Sequence, residues 1–260
     1  MTKLLSGCRG LVVGVSGAES IGYNLARDLT VMGAQVAATY RPARRISVAP
    51  LLESIGIEQH AQLEATDDVS IGAAFSQLGA ALGRFDFLIH TCVHVPEGLL
   101  SRPLTGVSRD EFNTVLDAST YSLIALCQQA APWLARSRHP RVVTLTSASA
   151  TRLTPNYHVA GIAKAALGAT LLDLAGELGP RGVLCNAVSF SLVETAGARR
   201  AVGEQNIAAT RAALKRRAPT QRAVEPGHVS RAVAFLASPL CENTTGETLT
   251  VDGGYSRVYL

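Results

Sequence analysis

The feature that most constrains this chain is a regular alternation of two hydrophobic patterns along its 260 residues. Short runs rich in β-branched residues read as strands: Gly10–Val15, Gln35–Tyr40, Gln59–Leu63, Phe85–Thr91, Arg141–Thr146, Val183–Ser189 and Glu247–Val251. Between them lie segments whose apolar residues recur at helical spacing: Ile21–Met32, Val48–Ile55, Val69–Gly83, Arg109–Arg136, Val159–Leu178 and Glu225–Leu236. Strand followed by helix, repeated in this way, specifies a parallel sheet with helices on both faces. The strands are apolar almost throughout rather than alternating, so both faces must be covered. No linker, low-complexity run or internal repeat divides the chain, and one domain over residues 1–260 is expected.

Composition removes several classes. Hydrophobic residues make up 47% and charged residues 17%, the reverse of a disordered chain. No apolar stretch approaches the roughly 20 uninterrupted residues of a membrane span. Arg9 breaks the first apolar run, so a secretory signal is not expected there. Cys8, Cys92, Cys127, Cys185 and Cys241 are odd in number and show no metal-ligand spacing, which fits reduced thiols in a cytoplasmic protein. His90, His94 and His158 have no carboxylate cluster beside them and read as packing groups, so no metal site is expected. A net charge of +4 with 5% aromatic residues does not suggest a nucleic-acid surface.

The first strand runs into Gly14-Val15-Ser16-Gly17-Ala18-Glu19, and a helix begins near Ser20-Ile21. A glycine-bearing turn at the first strand–helix junction presents unpaired N–H groups and a helix dipole to an anion. In a doubly wound sheet the usual occupant is a dinucleotide pyrophosphate. The glycines do not spell the GxGxxG pattern, and by themselves they fit any strand-to-helix turn. After the second strand comes Tyr40-Arg41-Pro42-Ala43-Arg44-Arg45, with arginines where NAD sites usually place a carboxylate. Arginine there accommodates a 2′-phosphate, so NADPH is expected first and NADH second.

Tyr157 and Lys164 stand seven residues apart at the start of the long helical segment. On a helix they would share a face, about 10 Å apart along the axis. A tyrosine hydroxyl can serve an oxyanion, with a nearby ammonium and a cationic nicotinamide expected to lower its pKa from about 10. Such a pair also arises by chance in helices; its place downstream of Arg141–Thr146 is what makes it informative.

At this point a family resemblance is visible. It is carried by Gly14-Val15-Ser16…Ser20-Ile21-Gly22, Thr39-Tyr40-Arg41, Phe87-Leu88-Ile89-His90 and Asp117…Tyr121-Ser122. It continues through Pro155-Asn156-Tyr157-His158-Val159…Ala163-Lys164-Ala165-Ala166 and Val251-Asp252-Gly253-Gly254, covering about Gly10 to Val258. The chain resembles short-chain dehydrogenases/reductases, and among them the enoyl-acyl-carrier-protein reductases. The Tyr-x6-Lys spacing is the sharpest mark, since ordinary members use Tyr-x3-Lys and position 161 here is Gly. The resemblance implies a Rossmann-type fold and the following roles. Tyr157 would hydrogen-bond the thioester carbonyl of an enoyl substrate, and Lys164 would bind the nicotinamide ribose. Gly14, Ser16, Ser20 and Ile21 would form the pyrophosphate turn, Arg41 would follow the second strand, and Glu64 and Ala65 would lie beside the adenine. Thr91, Val93, Val193 and Thr195 would complete the cofactor path.

Three departures from the family reshape the pocket. Thr91-Cys92-Val93 replaces Ser-Ile-Gly or Ser-Ile-Ala, placing bulk at Val93. Phe190-Ser191-Leu192-Val193 replaces Ala-Gly-Pro-Ile. Ser147 stands where many members have a second Tyr, and a Ser in this region is what ketone-reducing relatives use. Three functions therefore stay open: an NADPH-dependent enoyl-thioester reductase, a carbonyl reductase with Ser147 and Tyr157 as its acid pair, and a dinucleotide-binding protein without turnover.

Charge is uneven. Residues 194–231 hold eight basic residues, Arg199, Arg200, Arg211, Lys215, Arg216, Arg217, Arg222 and Arg231, against Glu194, Glu204 and Glu225. In the family this region, about 194–220, is a mobile substrate lid. Arg199, Arg200, Lys215 and Arg216 would then steer an acidic acyl carrier protein, although a basic run also fits a solvated helix face. The substrate is expected to be linked to such a carrier or to CoA, and a homotetramer is expected from the apolar girth of the two long helices.

Overall fold

The computed structural model describes residues 3–258. Seven strands form one parallel sheet in the order β3-β2-β1-β4-β5-β6-β7. They are β1 (Arg9–Val13), β2 (Gln35–Tyr40), β3 (His60–Gln62), β4 (Phe87–His90), β5 (Arg141–Ser147), β6 (Leu184–Phe190) and β7 (Thr248–Val251). The helices are α1 (Ile21–Val31), α2 (Arg45–Ser54), α3 (Asp68–Leu82), α4 (Arg109–Leu116), α5 (Ser122–Leu134), α6 (His158–Leu178), α7 (Ala196–Val202), α8 (Ile207–Arg217) and α9 (Pro226–Ala237). The Rossmann-type doubly wound architecture is as the alternation of strand and helix predicts.

Side chains alternate across each strand, so the two sheet faces bury separate cores. Leu11 and Val13 join Ile71, Phe75 and Leu78 of α3, Leu123 and Leu126 of α5, and Leu167 and Leu171 of α6. Val12 points the other way, toward Leu25 and Leu29 of α1, Leu52 of α2, and Val229 and Val233 of α9. Among the described helices, one is long and apolar enough to cross a membrane: the stretch His158–Arg181, which contains α6. Its residues Leu167 and Leu171 are fully buried against the sheet. The five cysteines are all unpaired and buried.

The segment Arg109–Arg136, expected as one helix, is interrupted. A π-helical turn, Asp117–Tyr121, separates α4 from α5, and α5 ends at Leu134. Apolar periodicity does not register this change, because one widened turn inserts a residue without removing the helix. The region 194–220, expected as a lid, contains two short helices that hydrophobic spacing did not delimit. Thr195 caps α7 by accepting from Ala198 N at 3.0 Å, and Gly203, at φ 92°, ends it. Among its residues only Ile207 of α8 is buried, so that helix lacks the apolar stripe on which sequence reading relies.

Close packing of α3 on α5 rests on Gly79. A Cβ there would lie 2.1 Å from the Trp133 ring, inside van der Waals contact. Gly-to-Ala in an exposed helix interior stabilises by up to about 1 kcal/mol. At Gly79 the sign should reverse, with Gly79→Ala destabilising by about 1–3 kcal/mol in urea unfolding, as overpacking does. A midpoint raised by this substitution would contradict the packing described.

Candidate active site

The strand order reverses at β1, whose neighbours are β2 on one side and β4 on the other. In such sheets a crevice opens beyond the strand C-termini between the diverging connections. β1 leads there into Gly14, at φ 104°. A Cβ on Gly14 would lie 2.7 Å from Thr91 Oγ1. Without it, the Thr91 hydroxyl reaches across and donates to Val13 O at 2.7 Å. Gly22 is equally confined, with Gly14 O, Thr91 Oγ1 and Val15 Cα each 3.1–3.2 Å from the position of a Cβ. Gly17, at φ 149°, faces open space. Ser20 caps α1, accepting from Tyr23 N at 3.2 Å and from Ser16 N at 3.3 Å, and donates to Gly17 O at 2.7 Å. The N–H groups of Ile21 and Gly22 have no hydrogen-bond partner among the described residues. Free donors, a helix N-terminus and open space beside Gly17 fit a dinucleotide pyrophosphate.

At the adenosine end Arg41 follows β2, and the expectation that no carboxylate stands near it is corrected. Arg41 Nε donates to Glu64 Oε2 at 3.0 Å, across 23 residues of sequence. Glu64 itself is placed by Ser70 Oγ, which accepts from its backbone N at 2.9 Å, while Ala65 packs against the core. Parallel pairing of β2 with β3 brings the ends of both strands together, which a local reading of Arg41-Pro42-Ala43-Arg44-Arg45 does not anticipate. Cys92 turns into the core and Val93 is 53% exposed, so Val93 does not fill the turn beside Gly14.

β5 and α6 supply the remaining residues. Tyr157 is the cap residue before α6, at φ −136° and ψ 12°, and the helix begins at His158. The expectation that Tyr157 and Lys164 both ride the helix is thus corrected for Tyr157. Asn156 before it adopts φ 56°, a left-handed conformation that Asn tolerates and most residues do not. The sequence shows Asn156 as part of Pro155-Asn156-Tyr157 but not its left-handed backbone, for which an Asn before the candidate tyrosine was the signal. Lys164 is 7% exposed, and its Nζ donates to Leu145 O of β5 at 2.9 Å. Burial lowers its pKa to about 8. Burial pushes the Tyr157 hydroxyl up from 10.0, opposite to the lowering expected, because desolvation acts on it in the free chain with no charge beside it to offset the shift. Position 161 admits no side chain without movement: a Cβ there would lie 3.0 Å from Ser149 O.

Ser147, at the end of β5, hydrogen-bonds Ser149 Oγ rather than Tyr157. Val193 is buried in the core beneath the crevice, and the Thr195 hydroxyl is engaged in capping α7. Within the basic segment, Arg199 is not a free surface charge. Its Nη1 meets Glu19 and its Nη2 meets Glu194, each at 2.9 Å. Arg211 meets Glu194 at 2.9 Å and Glu225 at 2.6 Å. Arg200, Lys215 and Arg216 are exposed.

The comparisons with known proteins can be set beside this geometry. The family model described as enoyl-(acyl carrier protein) reductase matches residues 14–256. The chain belongs to that family. It is an NAD(P)H-dependent oxidoreductase of the short-chain dehydrogenase/reductase type. An enoyl-[acyl-carrier-protein] reductase [NADH] of Rhizobium meliloti (strain 1021) is 33% identical over 98% of this chain and 92% of its own. The reductase of Anaplasma phagocytophilum, solved in complex with NAD, superposes with a TM-score of 0.91 at 28% identity, covering 100% of this chain and 96% of that one. The Bacillus cereus enzyme, solved with NADP+ and an indole naphthyridinone, gives a TM-score of 0.92 at 29% identity, over 99% of this chain and 100% of that one.

One buried group near Lys164 has a determinable proton arrangement. His90 Nδ1 lies 2.7 Å from Thr144 Oγ1 and Nε2 lies 3.0 Å from Ser122 Oγ. Ser122 spends its proton on Ala118 O, at 2.9 Å, so it accepts from His90 Nε2–H, and the Thr144 hydroxyl donates to Nδ1. A proton on both nitrogens would oppose this chain, and burial together with Lys164 lowers the pKa from 6.5 to about 3. Below pH 6.5 the unfolded chain takes up a proton that the folded one refuses until about pH 3. Stability attributable to His90 is therefore present above about pH 6.5 and lost as pH falls, by up to ~1.4 kcal/mol per pH unit. Urea unfolding across this range should give a shallower pH slope for His90→Gln than for the parent; equal slopes would contradict the buried neutral state.

Proposed function

We propose that this protein reduces the carbon–carbon double bond of an enoyl thioester, held on an acyl carrier protein or on CoA, in fatty acid or related acyl-chain synthesis. The observation that carries this reading is the buried ammonium of Lys164, held at Leu145 O three residues beyond Gly161, where a Cβ would press on Ser149 O. Position 161 carries no lysine, so Tyr157-x6-Lys164 is the spacing this chain offers. A nicotinamide held in the crevice would be the source of the hydride that reaches the substrate β-carbon. Tyr157 would donate a hydrogen bond to the thioester oxygen as negative charge gathers there, which lowers the barrier to an enolate-like state. Its raised pKa suits this, because the hydroxyl keeps its proton at neutral pH. With one proton of Nζ committed to Leu145 O, Lys164 has two left for the ribose hydroxyls. Gly14, Ser16, Ser20, Ile21, Thr91, Val193 and Thr195 would line the cofactor, with Val93 at the cleft rim. The carbonyl-reductase reading would need Ser147 to leave Ser149 and turn to the substrate.

For the cofactor, the named Rhizobium relative is an NADH enzyme, whereas the Bacillus cereus enzyme was solved with NADP+. In this chain Glu64 neutralises Arg41, but Arg44 and Arg45 remain exposed beside it. We propose that NADH is accepted with Arg41 on Glu64, and that NADPH, favoured by the arginines, draws Arg41 to its 2′-phosphate. Residues 194–220 would act as the lid, with the exposed Arg200, Lys215 and Arg216 meeting an acidic carrier. A homotetramer would cover Ile162 and Leu172, which are 38% and 60% exposed on α6.

Four kinetic outcomes are expected. With a crotonyl thioester and a panel of ketones, followed by loss of nicotinamide absorbance, the thioester should be the one consumed. Tyr157→Phe should lower kcat by roughly two decades or more with little change in cofactor affinity. Turnover in the parent should also fall as pH rises through about 8, where Lys164 loses its proton. Ketone reduction, or near-normal turnover of Tyr157→Phe, would overturn the reading. Arg41→Ala should reduce kcat/KM for NADPH by roughly tenfold or more while leaving NADH within a few-fold, since a charge-assisted contact to phosphate is lost. Equal losses with both cofactors would sink the 2′-phosphate role.

A further inference from the structure

Glu19 is the one acidic residue between β1 and α1, and it lies two residues before the free N–H of Ile21. A carboxylate in an anion-binding turn is poorly placed, because a second anion arriving there would be repelled. In the free chain it is compensated by Arg199, which reaches it from α7 across 180 residues of sequence. The surrounding charges are lopsided. Arg199 faces Glu19 and Glu194 at 2.9 Å and Glu204 at 3.7 Å, while Arg211 faces Glu194 and Glu225. Four carboxylates therefore share two guanidinium groups. Glu194 has Arg211 whether or not Arg199 stays, so Arg199 is the member that can leave. Its Nε is buried and lies 3.7 Å from Glu204 Oε1, too far for a hydrogen bond; Arg211 Nε is likewise unpartnered. A guanidinium with an unused donor, already in contact with a phosphate-binding turn, matches a phosphate better than a single carboxylate does.

We propose that Arg199 is a cofactor-binding residue: Glu19 holds it over the turn in the free chain, and on binding it exchanges that carboxylate for the dinucleotide pyrophosphate. The inference rests on the dinucleotide reading of the crevice. Glu19 is then a competitor for Arg199 and also a negative charge beside the incoming phosphates. Gly203, at the C-terminal end of α7, gives the segment a residue that tolerates backbone change. No bond is made or broken; one ion pair replaces another.

The test is equilibrium binding of NADH and NADPH, read by nicotinamide fluorescence and by calorimetry, with melting temperatures to confirm folding. Arg199→Gln should raise Kd by roughly tenfold or more, and Arg199→Lys should recover part of that loss. Glu19→Gln should do the opposite and lower Kd several-fold. In the Arg199→Gln background Glu19→Gln should give much less tightening, because the partner it competes for is gone. If the ion pair were only a structural latch, both single substitutions would weaken binding, and that result overturns the proposal. Equal tightening by Glu19→Gln with or without Arg199 would reduce the effect to bare charge repulsion and overturn the exchange. Unchanged Kd in Arg199→Gln would also overturn it. Failure of the parent protein to bind either dinucleotide would instead remove the dinucleotide reading, and the proposal with it.

Discussion

The hydrogen bond from Thr91 to Val13 O is the contact on which the site depends. It joins the ends of β1 and β4 at the point where the sheet order reverses. It exists because Gly14 and Gly22 leave no Cβ in the way. The same absence lets α1 start close behind the strand, so that its unpaired N–H groups point into the crevice. A methyl group at Gly14 would displace Thr91, open the seam between the strands and shift the turn proposed to receive the phosphates. Two glycines and one hydroxyl thus set the distance between sheet and helix at the proposed anion site.

A second close approach organises the other half of the site. Gly161 lets α6 settle against Ser149 O, and this draws Lys164 under the end of β5. Burial there would ordinarily drive an ammonium toward neutrality. Desolvation lowers its pKa to about 8, and one of its protons is held by the Leu145 carbonyl. The π-helical turn contributes from the opposite side, where Thr120 Oγ1 donates to Ala163 O at 3.0 Å. His90 links that turn to β5 through Ser122 and Thr144 as a neutral ring. Burial and the charge on Lys164 together hold His90 neutral.

Electrostatics in the segment after β6 follow a different logic. Counted along the chain, the region is simply basic. In space, its acids and two of its arginines, together with Glu19, form a connected set that joins the phosphate turn to α7 and α8. Partly exposed ion pairs of this kind contribute little to stability individually. Their consequence is positional, because they hold Arg199 and Arg211 among carboxylates while Arg200, Arg216 and Arg217 stay exposed.

How much of this was legible beforehand depended on the range of the interaction. The sheet and its helices follow from hydrophobic periodicity, which is local. Gln35–Tyr40 emerges with the bounds that the strand adopts, and Gly14, Tyr157 and Lys164 were recognisable because their spacing is a property of neighbouring residues. The weakly apolar α8 and the widened turn at Asp117–Tyr121 left no such trace. Nor did the pairing of Arg41 with Glu64, of Arg199 with Glu19, or of Ser147 with Ser149. The sequence by itself determined the alternation of strand and helix and the residue types available at the crevice. Only the tertiary structure decided which charges are neutralised, which hydroxyls are engaged and how far burial moves each pKa. Those quantities depend on distances between segments remote along the chain, and parallel strands bring together ends that no local pattern connects.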